Sequence, residues 1–270
     1  MPNNIQSTSI QSFIGAGAGN NIQSASNESF IGAGSTNGIT TASNVFIGSG
    51  GSNSVQNSSN TFIGSGAGNI IQNGSIGAAI VAGGIGGGNV IGTGILQGTN
   101  SFIGAGINNH VDSASSSAIV AGRFNVIGPT GPTSYSVIVA GESNIIDSSN
   151  DAFIGAGSTN AITGSIHSAI VAGASNNIGN GSTESFIGAG SDNLINLSDH
   201  CGIIAGISNH IGDSAGTTRS AILAGNNLHL NQNDTALTQI LRVGGDSSSF
   251  GATGLATGGV QFQSWQILKT

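Results

Sequence analysis

One short phrase, [F/A/V]-I-[G/V]-[A/S]-G-x-x-N-x-[I/V], recurs thirteen times along this chain of 270 residues. Its closing glycines are Gly17, Gly34, Gly50, Gly66, Gly83, Gly106, Gly122, Gly141, Gly157, Gly173, Gly190, Gly206 and Gly225, most of them 16 or 17 residues apart. A period this short has room for one or two strands and their turns, and none for a helix pair or a propeller blade. The fold class it predicts is all-β, a parallel β-solenoid (β-roll) of about thirteen 16–17-residue coils.

The columns of the repeat carry the packing. Isoleucine stands three residues before every closing glycine, from Ile14 and Ile31 through Ile203 and Ile222. Ala, or Ser in two units, stands one before it, and Ile, Val or Leu usually stands five after it. Residues two apart on a strand share a face. The expectation is therefore that the Ile and the following Ala face the interior, where the later Ile folds over to meet them.

The opposite face changes in a coupled way. Seven units pair Phe with Gly, at Phe13, Phe30, Phe46, Phe62, Phe102, Phe153 and Phe186 with the glycines two residues on. Six pair a small or medium residue with a branched one: Ala79/Val81, Ala118/Val120, Val137/Val139, Ala169/Val171, Gly202/Ile204 and Ala221/Leu223. Volume traded between two neighbours is what close packing demands. A strand apolar on both faces needs cover on both. A loop of the same chain is one candidate lid, but the remaining residues of each coil are mostly Ser, Asn, Thr and Gly. Self-association is the better reading, with the seven Phe residues as inter-chain packing positions.

The Asn three residues after the glycine forms a further column: Asn20, Asn37, Asn53, Asn69, Asn109, Asn125, Asn144, Asn160, Asn176, Asn193 and Asn209, with Asn89 shifted. Asn tolerates left-handed turn geometry, and stacked amides bond one another in ladders. A structural turn ladder is expected rather than a ligand-binding row.

Composition removes several function classes. Four Lys+Arg and a net charge of −7 leave no basic patch for nucleic acid or an anionic membrane surface. No apolar run approaches the roughly 20 residues of a spanning helix, so membrane insertion is not expected. The opening MPNNIQST has neither the charged nor the apolar region of a signal peptide, so assembly in a cytoplasm is expected. Acidic residues such as Asp112, Asp147, Asp192 and Asp213 read as scattered, no glycine string ends in the GK[ST] of a phosphate loop, and Cys201 reads as a small filler where most units have Ser. No catalytic residue, cofactor or enzymatic activity is expected. One coincidence stands apart: His110, His210 and His229 each lie four residues after a closing glycine, the last two in consecutive units. Imidazoles stacked in this way could ring a metal or an anion, although polar surface residues are the default.

Three segments are expected: a lead-in over 1–12, whose IQS matches the IQS at Ile22 to Ser24 and reads as part of an incomplete coil; the solenoid over 13–230; and a cap or attachment segment over 231–270. In the last, Thr235 to Val243 and Val260 to Leu268 alternate like strands, and Trp265, Arg242 and Lys269 fall in it. Insertions lie at residues 83–98 and in GPTGPT, Gly128 to Thr133, as loops where variable contacts collect.

Units such as SFIGAGSDNLI (Ser185 to Ile195) and SAIVAGASNNI (Ser168 to Ile178) resemble the head repeats of trimeric autotransporter adhesins and of related phage and viral tail-fibre or capsid-fibre proteins. The resemblance spans about residues 10–230. It implies a left-handed, homotrimeric β-roll with an adhesive role at a surface. The sequence shows no heptad stalk, neck, anchor or signal peptide, which favours a virion fibre over a bacterial adhesin head. The partners so implied are two more copies, a host receptor that family analogy makes a glycan, and other fibre or virion proteins at a terminus. Rival classes are an ice-binding solenoid and a polysaccharide-cleaving β-helix.

Overall fold

The computed structural model describes residues 1–84, 87–92, 98–212 and 217–230, together with the strand Ala236–Thr238. Among the described residues there are strands and turns and no helix. Two 14-stranded sheets run the length of the molecule, each coil contributing one strand to each. The first sheet collects the strands that precede the closing glycines, such as Ser29–Ile31, Ser43–Ile47 and Phe102–Ile103. The second collects those that follow, such as Gly38–Thr40, Ser54–Gln56 and His110–Val111. Every pairing between neighbouring coils in these two sheets is parallel, and all are in register except the last of the first sheet, which shifts between Ile222 and Ala224; examples are Phe30↔Phe46 with Ile31↔Ile47 and Ile39↔Val55 with Thr40↔Gln56. The fold is a parallel β-solenoid, roughly 60 Å long at the usual spacing between strands.

The core is a double row of isoleucines. Ile31, Ile47, Ile63 and Ile80 from the first sheet and Ile22, Ile39, Ile71 and Ile91 from the second have no solvent exposure. Small residues fill the rest of the interior: Ser29, Val45, Thr61 and Ala78 in one column, Ser26, Ala42, Ser58 and Ser75 in another. The serine hydroxyls are bonded within and between neighbouring coils, as where Ser185 Oγ donates to Ser198 O at 3.0 Å and Ser165 N donates to Ser149 Oγ at 3.1 Å, whereas the buried Thr61 hydroxyl has no partner. Buried hydroxyls left unpaired would each cost on the order of 1–3 kcal/mol, so the serine columns stay buried only because the coil supplies these partners.

The alanine before each closing glycine does not join the Ile inside. Ala16 and Ala105 are exposed and Ala33 and Ala156 half-buried. The regular strand ends at the isoleucine and the chain bends at the alanine, so period-2 alternation stops one residue too early to carry it inward. The bend continues into the glycine, at φ 107° in Gly34 and Gly50 and 108° in Gly157. A methyl group on Gly34 would collide with Gly50 O in the next coil. At eleven of the thirteen closing glycines the φ is positive, and there both the dihedral and the space require glycine.

Two further positions per coil take left-handed geometry. One is two residues after the glycine, as in Thr36, Ser52, Asn108 and Ser143; the other is six before it, as in Glu28, Asn44, Asn60 and Asp151. The first of these corners joins the first sheet to the second, and a third short side runs from the second sheet to the other corner, seen as the paired strands Ala114–Ser115 with Thr133–Ser134 and Ser198–Asp199 with Thr217–Thr218. The GPTGPT insertion leaves the coil between the second sheet and this third side. Asp147 of the following coil grips it, accepting from Thr130 N and Gly131 N at 3.0 Å each and from the Thr130 hydroxyl.

The lead-in adds a partial coil, since Asn4 and Ile5 pair with Asn21 and Ile22. Ala236–Thr238 pairs in parallel with Ala221–Ala224 and extends the first sheet by one strand. The two C-terminal strands expected from alternation otherwise lie outside the described residues, as do Trp265, Arg242 and Lys269.

Candidate interaction surface

Side chains four and two before each closing glycine point out of the first sheet into solvent. Exposure is 56% at Phe13, 36% at Phe102 and 45% at Val81, and Phe46, Phe62, Phe153, Phe186, Val120, Val139, Val171, Ile204 and Leu223 are exposed in the same way. Phe30 alone of the seven is half-buried. The result is one apolar stripe running along the solenoid, far longer than the scattered apolar residues normal on a soluble surface.

The geometry explains why Phe always comes with Gly. A Cβ on the glycine two residues after each Phe would collide with a backbone O of the next coil and stand 3.1–3.3 Å from Cε1 of the ring on its own strand, as at Gly32 between Gly48 O and Phe30 and at Gly64 between Val81 O and Phe62. Where Ala or Val replaces Phe, the following residue supplies the missing volume. The exchange is therefore satisfied within each strand. It keeps the stripe level from coil to coil, and the need for a cover comes from exposure rather than from the exchange itself. In the first four coils the rings also stack. Centroids are 5.5 Å apart for Phe13 and Phe30, 5.0 Å for Phe30 and Phe46 and 5.3 Å for Phe46 and Phe62, with interplanar angles of 18°, 7° and 6°.

The asparagine column lies wholly inside. Asn20, Asn37, Asn53, Asn69, Asn89, Asn109, Asn125, Asn144, Asn160, Asn176, Asn193 and Asn209 have no exposure. Asn53 Nδ2 donates to Asn37 Oδ1 at 3.1 Å, to Ser49 O at 3.1 Å and to Gly66 O at 2.9 Å, and its backbone N donates to the same Asn37 Oδ1 at 3.1 Å. The bonds recur up the column, with Asn125 on Asn109 at 3.1 Å and Asn209 on Asn193 at 3.1 Å. At the last repeat the side-chain ladder stops, because Leu228 offers only its backbone N to Asn209 Oδ1. Each amide ties the turn of its own coil to the coils before and after it.

Of the three histidines in one column, the structure brings two together. His210 pairs with His229, ring centroids 5.4 Å apart, whereas His110 lies between Val90 and Val126. Among the described residues no three His, Cys, Asp or Glu side chains are grouped to hold a metal. A different column carries the ionisable pairs. At the corner six residues before the glycine, successive coils present Asp151, His167, Glu184, His200 and Arg219. His167 Nε2 is 3.5 Å from Asp151 Oδ2 and His200 Nε2 is 2.8 Å from Glu184 Oε2. Counting back six residues from each glycine would have found this row, and the acidic residues there are not scattered. All four of these paired side chains are about half exposed, where such pairs contribute little to stability. Arg123 and Glu142 make a similar exposed contact at 2.8 Å.

Asp199 accepts from the Thr183 hydroxyl at 2.6 Å and from Thr183 N at 3.0 Å, bonds that hold its carboxyl below the ordinary carboxylate range. Thr183→Val is expected to raise that pKa, read by carboxyl chemical shift against pH; an unchanged titration would refute the assignment. Cys201 occupies the buried serine column, its Sγ 3.3 Å from Asp199 O and 3.5 Å from Thr217 O, and burial pushes its thiol pKa up. It is expected to resist thiol reagents in the folded protein and to react on unfolding. Cys201→Ser is expected to shift stability by less than about 1 kcal/mol, since a hydroxyl makes the same two bonds.

No protein-family model matches the chain, and no curated protein matches it by sequence.

Proposed function

We propose that the chain is a structural and adhesive subunit: a homotrimeric, left-handed β-roll fibre or spike that projects from a virion or phage tail and contacts a host-cell surface. The observation that carries this reading is the apolar stripe along a stiff parallel β-solenoid. Its length of about 60 Å and a width of about 10 Å give roughly 600 Å² per copy. That is close to the 800 Å² or so that each partner buries in a stable interface. Support for a fibre also comes from the in-register stacking of nearly all coils, which suits a load-bearing rod. Ala236–Thr238 continues the first sheet by one strand beyond the last repeat. Receptor contact falls to the inserted loops, such as Gly128 to Thr133, with a surface glycan as the ligand.

Light scattering on the purified chain is the test of assembly. A trimer of 26.3 kDa chains has a mass of 3 × 26.3 = 78.9 kDa. A stable monomer would overturn the reading. Adhesion is read separately, by binding of labelled trimer to host cells before and after enzymatic removal of surface glycans. Binding to neither would remove the adhesive role and leave a purely structural one.

A further inference from the structure

We infer that self-association is zipped from the N-terminal coils, those of Phe13 to Phe62, by parallel in-register contact between copies of this chain. This rests on the proposed role of the stripe as a seam between copies, and adds where along the rod that seam is strongest.

Two independent features locate it. The first is the aromatic stack. Phe13, Phe30, Phe46 and Phe62 occupy four consecutive coils with rings about parallel. Beyond Ala79 the rings are interrupted, so that Phe102, Phe153 and Phe186 have non-aromatic neighbours in both adjoining coils: Ala79 and Ala118, Val137 and Ala169, Ala169 and Gly202. Aromatic side chains bury the most area per residue and dominate interface energetics. Four in an unbroken row make the strongest part of the stripe.

The second is charge. In residues 1–108 the sole Asp, Glu, Lys or Arg is Glu28, whereas Asp112, Arg123, Glu142, Asp147, Asp151, Glu184, Asp192, Asp199 and Arg219 all follow. Copies aligned in parallel and in register around a shared axis set the residues of the seam and of the corner beside it near their own counterparts, so a charge there, such as Asp151 or Glu184, meets an identical charge. Like charges brought together across an interface oppose association. A section with a single charge on each copy lets identical chains approach closely on every side, and depletion of charge is the compositional mark of an interface core. A partner of different sequence would impose no such requirement, because its charges could complement these. The charge-poor section therefore selects a second copy as the occupant. The level profile of the stripe agrees, since each layer then meets the same layer and needs a constant volume of its own.

The test compares two variants of the full chain: Phe13, Phe30, Phe46 and Phe62 all changed to Ser, and Phe102, Phe153 and Phe186 all changed to Ser. These rings lie outside the isoleucine core, and circular dichroism checks that each variant keeps its β-signal. The N-terminal set is expected to raise the concentration at which the oligomer dissociates by about tenfold or more, and the C-terminal set by less. If the C-terminal set dissociates the oligomer equally or more readily, the location is wrong while the seam stands. If neither set changes the mass of an oligomeric protein, the stripe is no seam and both readings fall. Single variants guard against loss of fold: Phe46→Glu, which sets identical charges together, is expected to dissociate the oligomer, and Phe153→Glu to weaken it less. The reverse order would overturn the inference.

Discussion

Gly157→Ala is expected to break the solenoid near its middle, lowering the melting temperature by about 10 °C or splitting the transition in two. At φ 108° the residue is in a region that side chains avoid, at a cost of roughly 1–3 kcal/mol. The added methyl would also overlap Gly173 O and approach to 2.7 Å of Asn160 Nδ2. Overpacking of this kind costs about 1–3 kcal/mol more. The neighbours cannot yield freely, because Gly173 O is the acceptor of Asn160 Nδ2 at 2.9 Å and the next coil repeats the arrangement. A strain at one coil is thus passed to two others. In a stack where each unit contacts only its neighbours, a weak interface divides the array into blocks that unfold separately. Gly38→Ala is the control. Nothing lies within 4 Å of a Cβ there, the φ is ordinary and neighbouring coils place Asn21 and Ser54 at the same position. Its melting curve is expected to overlay the wild type, and equal losses for the two variants would refute the packing argument.

The same logic shows why so much of the fold is legible in the sequence. Each column of a solenoid repeats one environment, so the invariant Ile reports a buried site twelve times over from Ile31 to Ile222, with Ile14 of the first coil partly buried, and the Phe/Gly and Ala/Val alternatives report one outward volume. Local rules failed where the chain leaves regular structure. Alternation puts Ala33 inside, but the strand ends at Ile31 and the bend carries the alanine outward. The volume exchange suggested a partner across the stripe, although Gly32 is already hemmed in by Gly48 O of the next coil and by the ring of its own Phe30. The corner row of Asp151, His167, Glu184 and His200 escaped notice because nothing about its residue types is constant. What is constant there is a left-handed backbone, φ 53°, 54°, 51° and 55°, which many side chains can occupy at a modest cost. Hydrophobic columns are fixed by packing, whereas an exposed corner is fixed by its backbone and free in its chemistry.

Asn160→Asp is expected to destabilise the protein in a pH-dependent way that separates a hydrogen-bond ladder from mere filling. Asn160 accepts through Oδ1 from Asn176 N and Nδ2 at 3.1 Å each, a role that a carboxylate retains. Its Nδ2 faces three oxygens, Asn144 Oδ1 at 3.1 Å, Ala156 O at 3.2 Å and Gly173 O at 2.9 Å. In the variant a second carboxyl oxygen replaces that donor in a site without solvent exposure. Burial and three facing acceptors disfavour the charged form, so the folded pKa is raised above the unfolded value of about 3.9. A raised folded pKa stabilises the fold fully below the unfolded pKa, and the contribution is lost as pH rises through the folded value. The protonated acid can still donate to one of the oxygens, so the gap to wild type should be smallest near pH 4. Above that it should widen by about 1.4 kcal/mol per pH unit until the folded pKa is reached. A shift of three units makes the difference about 4 kcal/mol at pH 7. Asn160→Ala gives the contrast. It removes the side-chain acceptor of Asn176 N and the donor to Ala156 O, and takes one of two donors from Gly173 O, which Ser158 N still reaches at 3.0 Å; the cost is several kcal/mol, but no titrating group is introduced, so its gap to wild type should be flat with pH. Denaturant titrations of the three proteins at pH 4 and pH 7 decide the matter: parallel behaviour of the two variants would mean that the column only fills space.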